Sequence, residues 1–184
     1  MKNPIITKTS ILFSSVCLLA FSLLIGCEVQ QSNKKLTAVN EHPEDMGKKP
    51  WVLDIEEATI ANQNYRMASW SGEYIQMILM SLKPGETIDL ELHENHDQFI
   101  RIDRGEARVL MGETKDNLTF DKNVSDDWAV FIPAGYWHQV QNIGDTDLKI
   151  YTIYGPPEHP AGTVHETYED AEEYDHDDDH DDDH

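Results

Sequence analysis

The chain of 184 residues carries 14 Lys and Arg against 35 Asp and Glu, a formal net charge of −21. So large an acidic excess argues against nucleic acid as a partner, because a phosphate backbone would be repelled. The only cysteines, Cys17 and Cys27, sit near the N-terminus, so a disulfide cannot staple a core and stability must come from packing.

Residues 1–26 hold Lys2 and Lys8, an apolar run from Ile11 to Ile25 and a small residue, Gly26, before Cys27, the layout of a secretory signal. Leu24-Ile25-Gly26-Cys27 resembles the bacterial lipobox, whose cysteine is lipidated. That resemblance implies a cell-envelope protein anchored to a membrane through lipid at Cys27 rather than spanning it. Residues 27–49 are polar and lack an apolar period, which predicts a disordered, flexible tether. Ile55–Ala61 reads as a short helix. Strand-like runs follow with turn signals between them: Tyr74–Leu82, Thr87–His93, Gln98–Ile102, Ala107–Met111, Trp128–Ile132, Trp137–Gln141 and Leu148–Tyr154. Such spacing without long helical periods predicts one all-β sandwich or barrel over residues 50–171. The proline-rich segment from Gly155 to His165 is kept out of any central strand.

Within this pattern Glu91 and His93 alternate with Ile88, Leu90 and Leu92, so the two polar side chains share one face. A strand from Gln98 to Asp103, treated as the antiparallel neighbour, brings Gln98 beside them; a register slip of one residue would turn Glu91 to solvent. The segments that carry these residues resemble the two motifs of the cupin superfamily. The second motif is complete, with Pro133, Gly135, His138 and Asn142 at the family spacing. The first is altered: counting back from Gly105 puts Gln98 at the family's glutamate, His93 at its second histidine and Glu91 at its first. Asp97 to Ile102 and the Pro133-Ala-Gly-Tyr-Trp-His138 turn further resemble small single-domain cupins labelled mannose-6-phosphate-isomerase-like.

The resemblance implies a double-stranded β-helix (jelly-roll barrel), a small-molecule ligand or substrate, and dimerisation through strand exchange or sheet packing. It also implies a divalent metal, Fe, Mn, Ni, Cu or Zn, held by Glu91, His93, Gln98 and His138; the alternative is a pair of buried histidines in a metal-free ligand pocket. His96 lies in a turn and is expected to be solvated, the alternative being that it replaces Glu91 as ligand; His159 and His165 on the closing segment are expected to be solvated, the alternative being that they cap the cavity. Arg101 is expected in a surface ion pair and Asn142 as a strand-end hydrogen-bonding residue. Tyr136, Trp137, Tyr151 and Tyr154 could line the pocket mouth or simply pack. Residues 172–184 repeat His-Asp-Asp-Asp with a period of four, which predicts a disordered tail that either chelates metal or only solubilises. The leading functional reading is a metal-dependent enzyme or binding protein for a small molecule. The rivals are a non-catalytic binding module and, third, a sugar-phosphate isomerase, disfavoured because no cluster of Lys and Arg is expected on the inward faces.

Overall fold

The computed structural model describes residues 44–178; Cys27, most of the expected tether and the last six residues of the tail lie outside them. The chain forms α1 (Ile55–Ala61), β1 (Arg66–Ser71), β2 (Gln76–Leu82), β3 (Thr87–Leu92), β4 (Asp97–Arg104), β5 (Glu106–Gly112), β6 (Phe120–Ser125), β7 (Ala129–Ile132), β8 (Trp137–Asn142), β9 (Leu148–Gly155), β10 (Val164–His165) and α2 (Tyr168–Asp178). Two antiparallel sheets result, one ordered β10-β1-β2-β9-β4-β7 and the other β3-β8-β5-β6. Consecutive strands such as β3 and β4 therefore lie in different sheets. This corrects the expected β3–β4 neighbourhood: Gln98, on β4, belongs to the sheet opposite the one that carries Glu91 and His138.

Between the sheets, Ile78, Met80 and Leu82 of β2, Ile100 and Ile102 of β4, and Ile150 of β9 meet Ile88 of β3, Val109 of β5 and Val140 of β8. Each such side chain taken from water stabilises the fold by roughly 1.5–3 kcal/mol. β2 does not alternate, because both of its faces are covered. Its other set, Met77 and Leu79, joins Met67 of β1 under α1, against which Ile55 and Ala58 pack. α1 starts where Asp54 caps it by accepting from the Glu57 amide (3.1 Å), with Glu56 and Glu57 placed favourably in the first turn.

Three strands escaped the sequence reading for separate physical reasons. β1 is buried at five of its six positions and reads Arg-Met-Ala-Ser-Trp-Ser, so no polar–apolar alternation marks it. β6 is exposed over its first four residues, and β10 has only two residues. Two expected boundaries also move. Residues 44–49, read as the end of the tether, are held to β1: the Met46 amide donates to the Ser69 carbonyl (3.0 Å), and the Asp45 carboxylate accepts from the Ser71 amide (2.9 Å), the Ser71 hydroxyl (2.6 Å) and the Gly162 amide (2.9 Å). At the other end, α2 carries the chain as helix through Asp178, past the start of the expected tail at 172. Ala171 (1 % exposed) and Tyr168 anchor that helix on the barrel core.

Candidate metal centre

The site is built where β3 meets β8. Their register runs Ile88 opposite Val140 and Glu91 opposite His138, so two residues of β3, Asp89 and Leu90, stand opposite one of β8, Gln139, and form a bulge. Residues directly opposite in an antiparallel pair project to the same face. The bulge thus turns both Ile88 and Glu91 inward, whereas plain alternation would have put them on opposite faces. On β8, strict alternation buries His138, Val140 and Asn142. The turn before β8 needs Gly135, whose φ of 80° suits a residue without Cβ, and the Gly135 amide donates to the His93 carbonyl (2.9 Å), tying the end of β3 beneath it.

Glu91 Oε1 lies 3.2 Å from His93 Nε2 and 3.1 Å from His138 Nε2. The candidate ligand atoms of these three residues all fall within 4.8 Å of one another. His138 Nδ1 sits 3.0 Å from the Tyr136 carbonyl, which can only accept, so Nδ1 carries the hydrogen and a neutral His138 turns a bare Nε2 toward Glu91. Two acceptors face each other at contact distance. Something positive, a proton or a metal ion, must lie between them. Donor atoms about 3 Å apart are what a divalent ion with bonds of about 2.1 Å requires of ligands in neighbouring positions.

The far side of His93 is equally committed. Its Nδ1 is 3.2 Å from Glu158 Oε1, while Glu158 Oε2 is 2.9 Å from His96 Nδ1. A carboxylate behind a histidine fixes the ring's orientation and strengthens the nitrogen that faces a metal. Glu158 was not foreseen: it lies in the proline-rich segment, where no periodicity assigns a direction. The expectation that His96 is solvated is corrected, because Glu158 and the Pro157 carbonyl (3.3 Å) engage it. The segment is itself pinned by Gln76, which is fully buried. Gln76 accepts from the Glu158 and His159 amides (3.2 and 2.9 Å) and donates to the His159 carbonyl and the Ser71 hydroxyl (both 2.8 Å).

Gln98 is buried, donating from Nε2 to Thr152 Oγ1 (3.1 Å) and Tyr154 Oη (2.9 Å). Its Oε1 is buried without a hydrogen-bond partner. Such an atom costs roughly 1–3 kcal/mol unless a cation or donor meets it, so the donor set fits a metal. Burial, with the Glu91 carboxylate nearby, pushes the Tyr154 hydroxyl well above its ordinary range, so it keeps its proton. Tyr154 lies edge-on to His93, the ring centres 5.4 Å apart.

The cluster opens into a cavity of about 560 Å³ lined by Arg66, Glu91, His93, Trp137, Glu158 and Glu172, among others. Of the four aromatics weighed for its mouth, Trp137 lines it and Tyr154 lies beneath it. Tyr151 packs instead against the outer cluster of Met67, Met77 and Leu79, and Tyr136 packs on the main core. His165 is 8 % exposed and the His159 Nε2 is buried, which corrects the expectation that both are solvated. Arg101 does pair at the surface, with Asp127 (2.5 Å) and Asp103 (2.9 Å). Asn142 closes the end of β8, donating to the Leu82 and Thr146 carbonyls (both 2.9 Å) and accepting from the Gly144 amide (3.0 Å).

Burial disfavours an imidazolium at His93, but the hydrogen bonds to Glu158 and Glu91 outweigh it and push the group up to about 9. Burial acts to raise Glu91 as well, yet its close contacts with the His138 and His93 ring nitrogens hold it far below its ordinary 4.5. Glu158 is lowered chiefly by its bond to His93. In metal-free protein the raised histidine contributes stability that is fully present below pH 6.5 and lost as pH rises through about 9. The lowered carboxylates contribute stability present above 4.5 and lost as pH falls. Metal must displace the His93 proton, so apparent affinity is expected to rise with pH up to about 9, with proton release on binding seen as buffer-dependent heat in calorimetry.

A family model described as a cupin domain matches residues 78–154. The uncharacterized protein YrkC of Bacillus subtilis is 54 % identical over 127 residues, covering 69 % of this chain and 68 % of that protein. The uncharacterized protein L612 of Acanthamoeba polyphaga mimivirus is 43 % identical over 116 residues, covering 62 % and 70 %. The crystal structure of BH2720 from Bacillus halodurans superposes with a TM-score of 0.70 at 48 % identity, covering 71 % of this chain and 98 % of that one.

Proposed function

The chain belongs to the cupin family, and from that premise we propose that it holds one divalent transition metal on Glu91, His93 and His138, with Gln98 as fourth ligand. A small-molecule ligand or substrate then enters the adjoining cavity. The observation that carries the reading is the convergence of Glu91 Oε1 with His93 Nε2 (3.2 Å) and His138 Nε2 (3.1 Å), donor atoms that a divalent ion can hold together once the His93 proton is displaced. Two histidines and a carboxylate suit Fe, Mn, Ni, Cu or Zn. Bound there, the metal would supply Lewis acidity or an oxygen-activating centre. The residues around it orient the ligand set: Tyr136 fixes the His138 tautomer through its carbonyl, Glu158 steadies His93, and Tyr154 keeps a proton beside the cavity. We further propose that the protein is tethered to a membrane of the cell envelope by lipid on Cys27.

Elemental analysis after loading and gel filtration tests the first reading: one equivalent dependent on the barrel residues is expected, and a substoichiometric value removes it. Gln98→Leu is expected to weaken binding by about tenfold, the loss of one charge-assisted contact; unchanged affinity would take Gln98 out of the ligand set. Cys27→Ser should shift the protein from the membrane to the soluble fraction on cell fractionation, and an unchanged distribution would refute the lipid anchor.

A further inference from the structure

Residues 175–184 form a sequence motif that plays no part in the barrel site, and α2 fixes where they begin. The first turn of α2 is held by Tyr168, whose hydroxyl donates to Asp89 (2.7 Å) and whose ring meets Tyr65 edge-on with the centres 5.5 Å apart. Ala171 is 1 % exposed against the barrel core, and the Tyr174 ring lies 5.2 Å from that of His165 on β10. From this mount Glu172 and Tyr174 join the wall of the cavity that Glu91 and His93 also line. The helix continues through Asp178, so position 176 falls one turn beyond Glu172.

The chemistry of the run suits a cation. Asp175 to His184 holds three histidines, His176, His180 and His184, and seven aspartates, with no basic or apolar residue. Carboxylates so close in sequence repel one another until a cation neutralises them, and imidazoles recurring every four residues add nitrogen donors that favour first-row transition ions over calcium or magnesium. The cavity continues the same preference. Its wall carries Asp89, Glu91, Glu158 and Glu172 against Arg66 and Lys115, an acidic approach to ligands that are themselves enclosed, with His138 fully buried and His93 9 % exposed. An extended chain spans at most about 3.6 Å per residue, so even His184 stays within about 36 Å of Tyr174. Two donor sets held inside that radius face each other at an effective concentration in the millimolar range.

We propose that residues 175–184 capture divalent transition-metal ions from solution and pass them along the cavity to Glu91, His93 and His138. The run is then a loading arm for the barrel site, and this rests on the metal reading above. Exposed, salt-screened donors bind weakly and release quickly, whereas a buried, prepositioned set binds tightly but is reached slowly. Joining the two on one chain gives fast capture and a tight final site.

The test follows Zn(II) in the full-length protein, supplied as its nitrilotriacetate complex so that free ion is scarce. Barrel occupancy at each time is the zinc retained through rapid desalting, less that retained by His138→Ala. The comparison is a variant carrying His176→Asn, His180→Asn and His184→Asn together, which keeps all seven carboxylates and substitutes no residue of the barrel. It is expected to load about tenfold more slowly than the wild type while reaching the same one equivalent, and the two rates should converge when free Zn(II) is plentiful. A synthetic peptide of residues 175–184, added at the concentration of the variant, should not restore the rate. Equal loading of wild type and variant at scarce ion overturns the arm while leaving the metal reading intact. A variant that stays folded by circular dichroism yet never fills also overturns it, because the tail would then belong to the site itself. Rescue by the separate peptide overturns it as well, since capture would not need the shared chain. If the wild type retains no more zinc than His138→Ala, the metal reading fails and the arm falls with it.

Discussion

His138→Ala is expected to abolish the metal equivalent of the barrel while leaving the protein folded. His138 is fully buried, supplies Nε2 at 3.1 Å from Glu91 Oε1, and has its other nitrogen committed to the Tyr136 carbonyl. Substitutions behind a ligand lower metal affinity by about 10–100-fold, and removal of the ligand itself should exceed that. The lost volume also leaves a void between β3 and β8, so a fall in stability of about 1–3 kcal/mol should accompany the loss. Isothermal titration with Mn(II) or Zn(II), set beside a thermal melt, separates the two effects. The tail of His and Asp residues could hold metal of its own. A weak class of sites unaffected by His138→Ala is therefore compatible with the account; retention of the tight class is not.

Gln76→Ala should be nearly as damaging, though Gln76 touches neither histidine. Its buried amide satisfies two backbone amides and one carbonyl in the segment from Glu158 to His159. Stranding those groups is expected to cost about 2–4 kcal/mol, less than three full penalties because the segment is only partly buried and water can reach it. The segment carries Glu158, so its release should also loosen His93 and weaken metal binding by about 10–100-fold. Denaturant unfolding and metal titration read the two losses. Glu158→Gln provides the comparison: it keeps the segment's backbone bonds, and should lower metal affinity with much less effect on stability. Equal metal affinity in wild type and Gln76→Ala would show that the segment does not position His93.

The legible parts of the fold and site were those governed by local pattern. The likeness of Pro133, Gly135, His138 and Asn142 to the second cupin motif marked His138, and the turn from Pro133 to Gly135 marked the start of that strand. Alternation along β4 put Gln98 with Ile100 and Ile102, as their burial shows. What alternation could not reveal was the sheet to which a strand belongs. β3 and β4 are joined by a tight connection, as hairpin strands are, yet β4 pairs with β7 and β9. Nor could it reveal the bulge at Asp89–Leu90, which lets Ile88 pack in the core while Glu91 reaches the histidines. Glu158 and Arg66 were illegible for different reasons. Glu158 is aimed by Gln76, a residue 82 positions away. Arg66 lies on a strand whose two faces are both covered, so a charged residue there gave no sign of pointing inward.

The central claim is that a metal ion sits between Glu91, His93 and His138. Anomalous diffraction from crystals of the protein grown with Co(II), collected on both sides of the cobalt edge, tests it most directly. The account predicts one strong peak about 2.0–2.2 Å from Glu91 Oε1, His93 Nε2 and His138 Nε2. A fully cobalt-treated crystal with no peak among these three atoms, or with peaks only elsewhere on the protein, would contradict it.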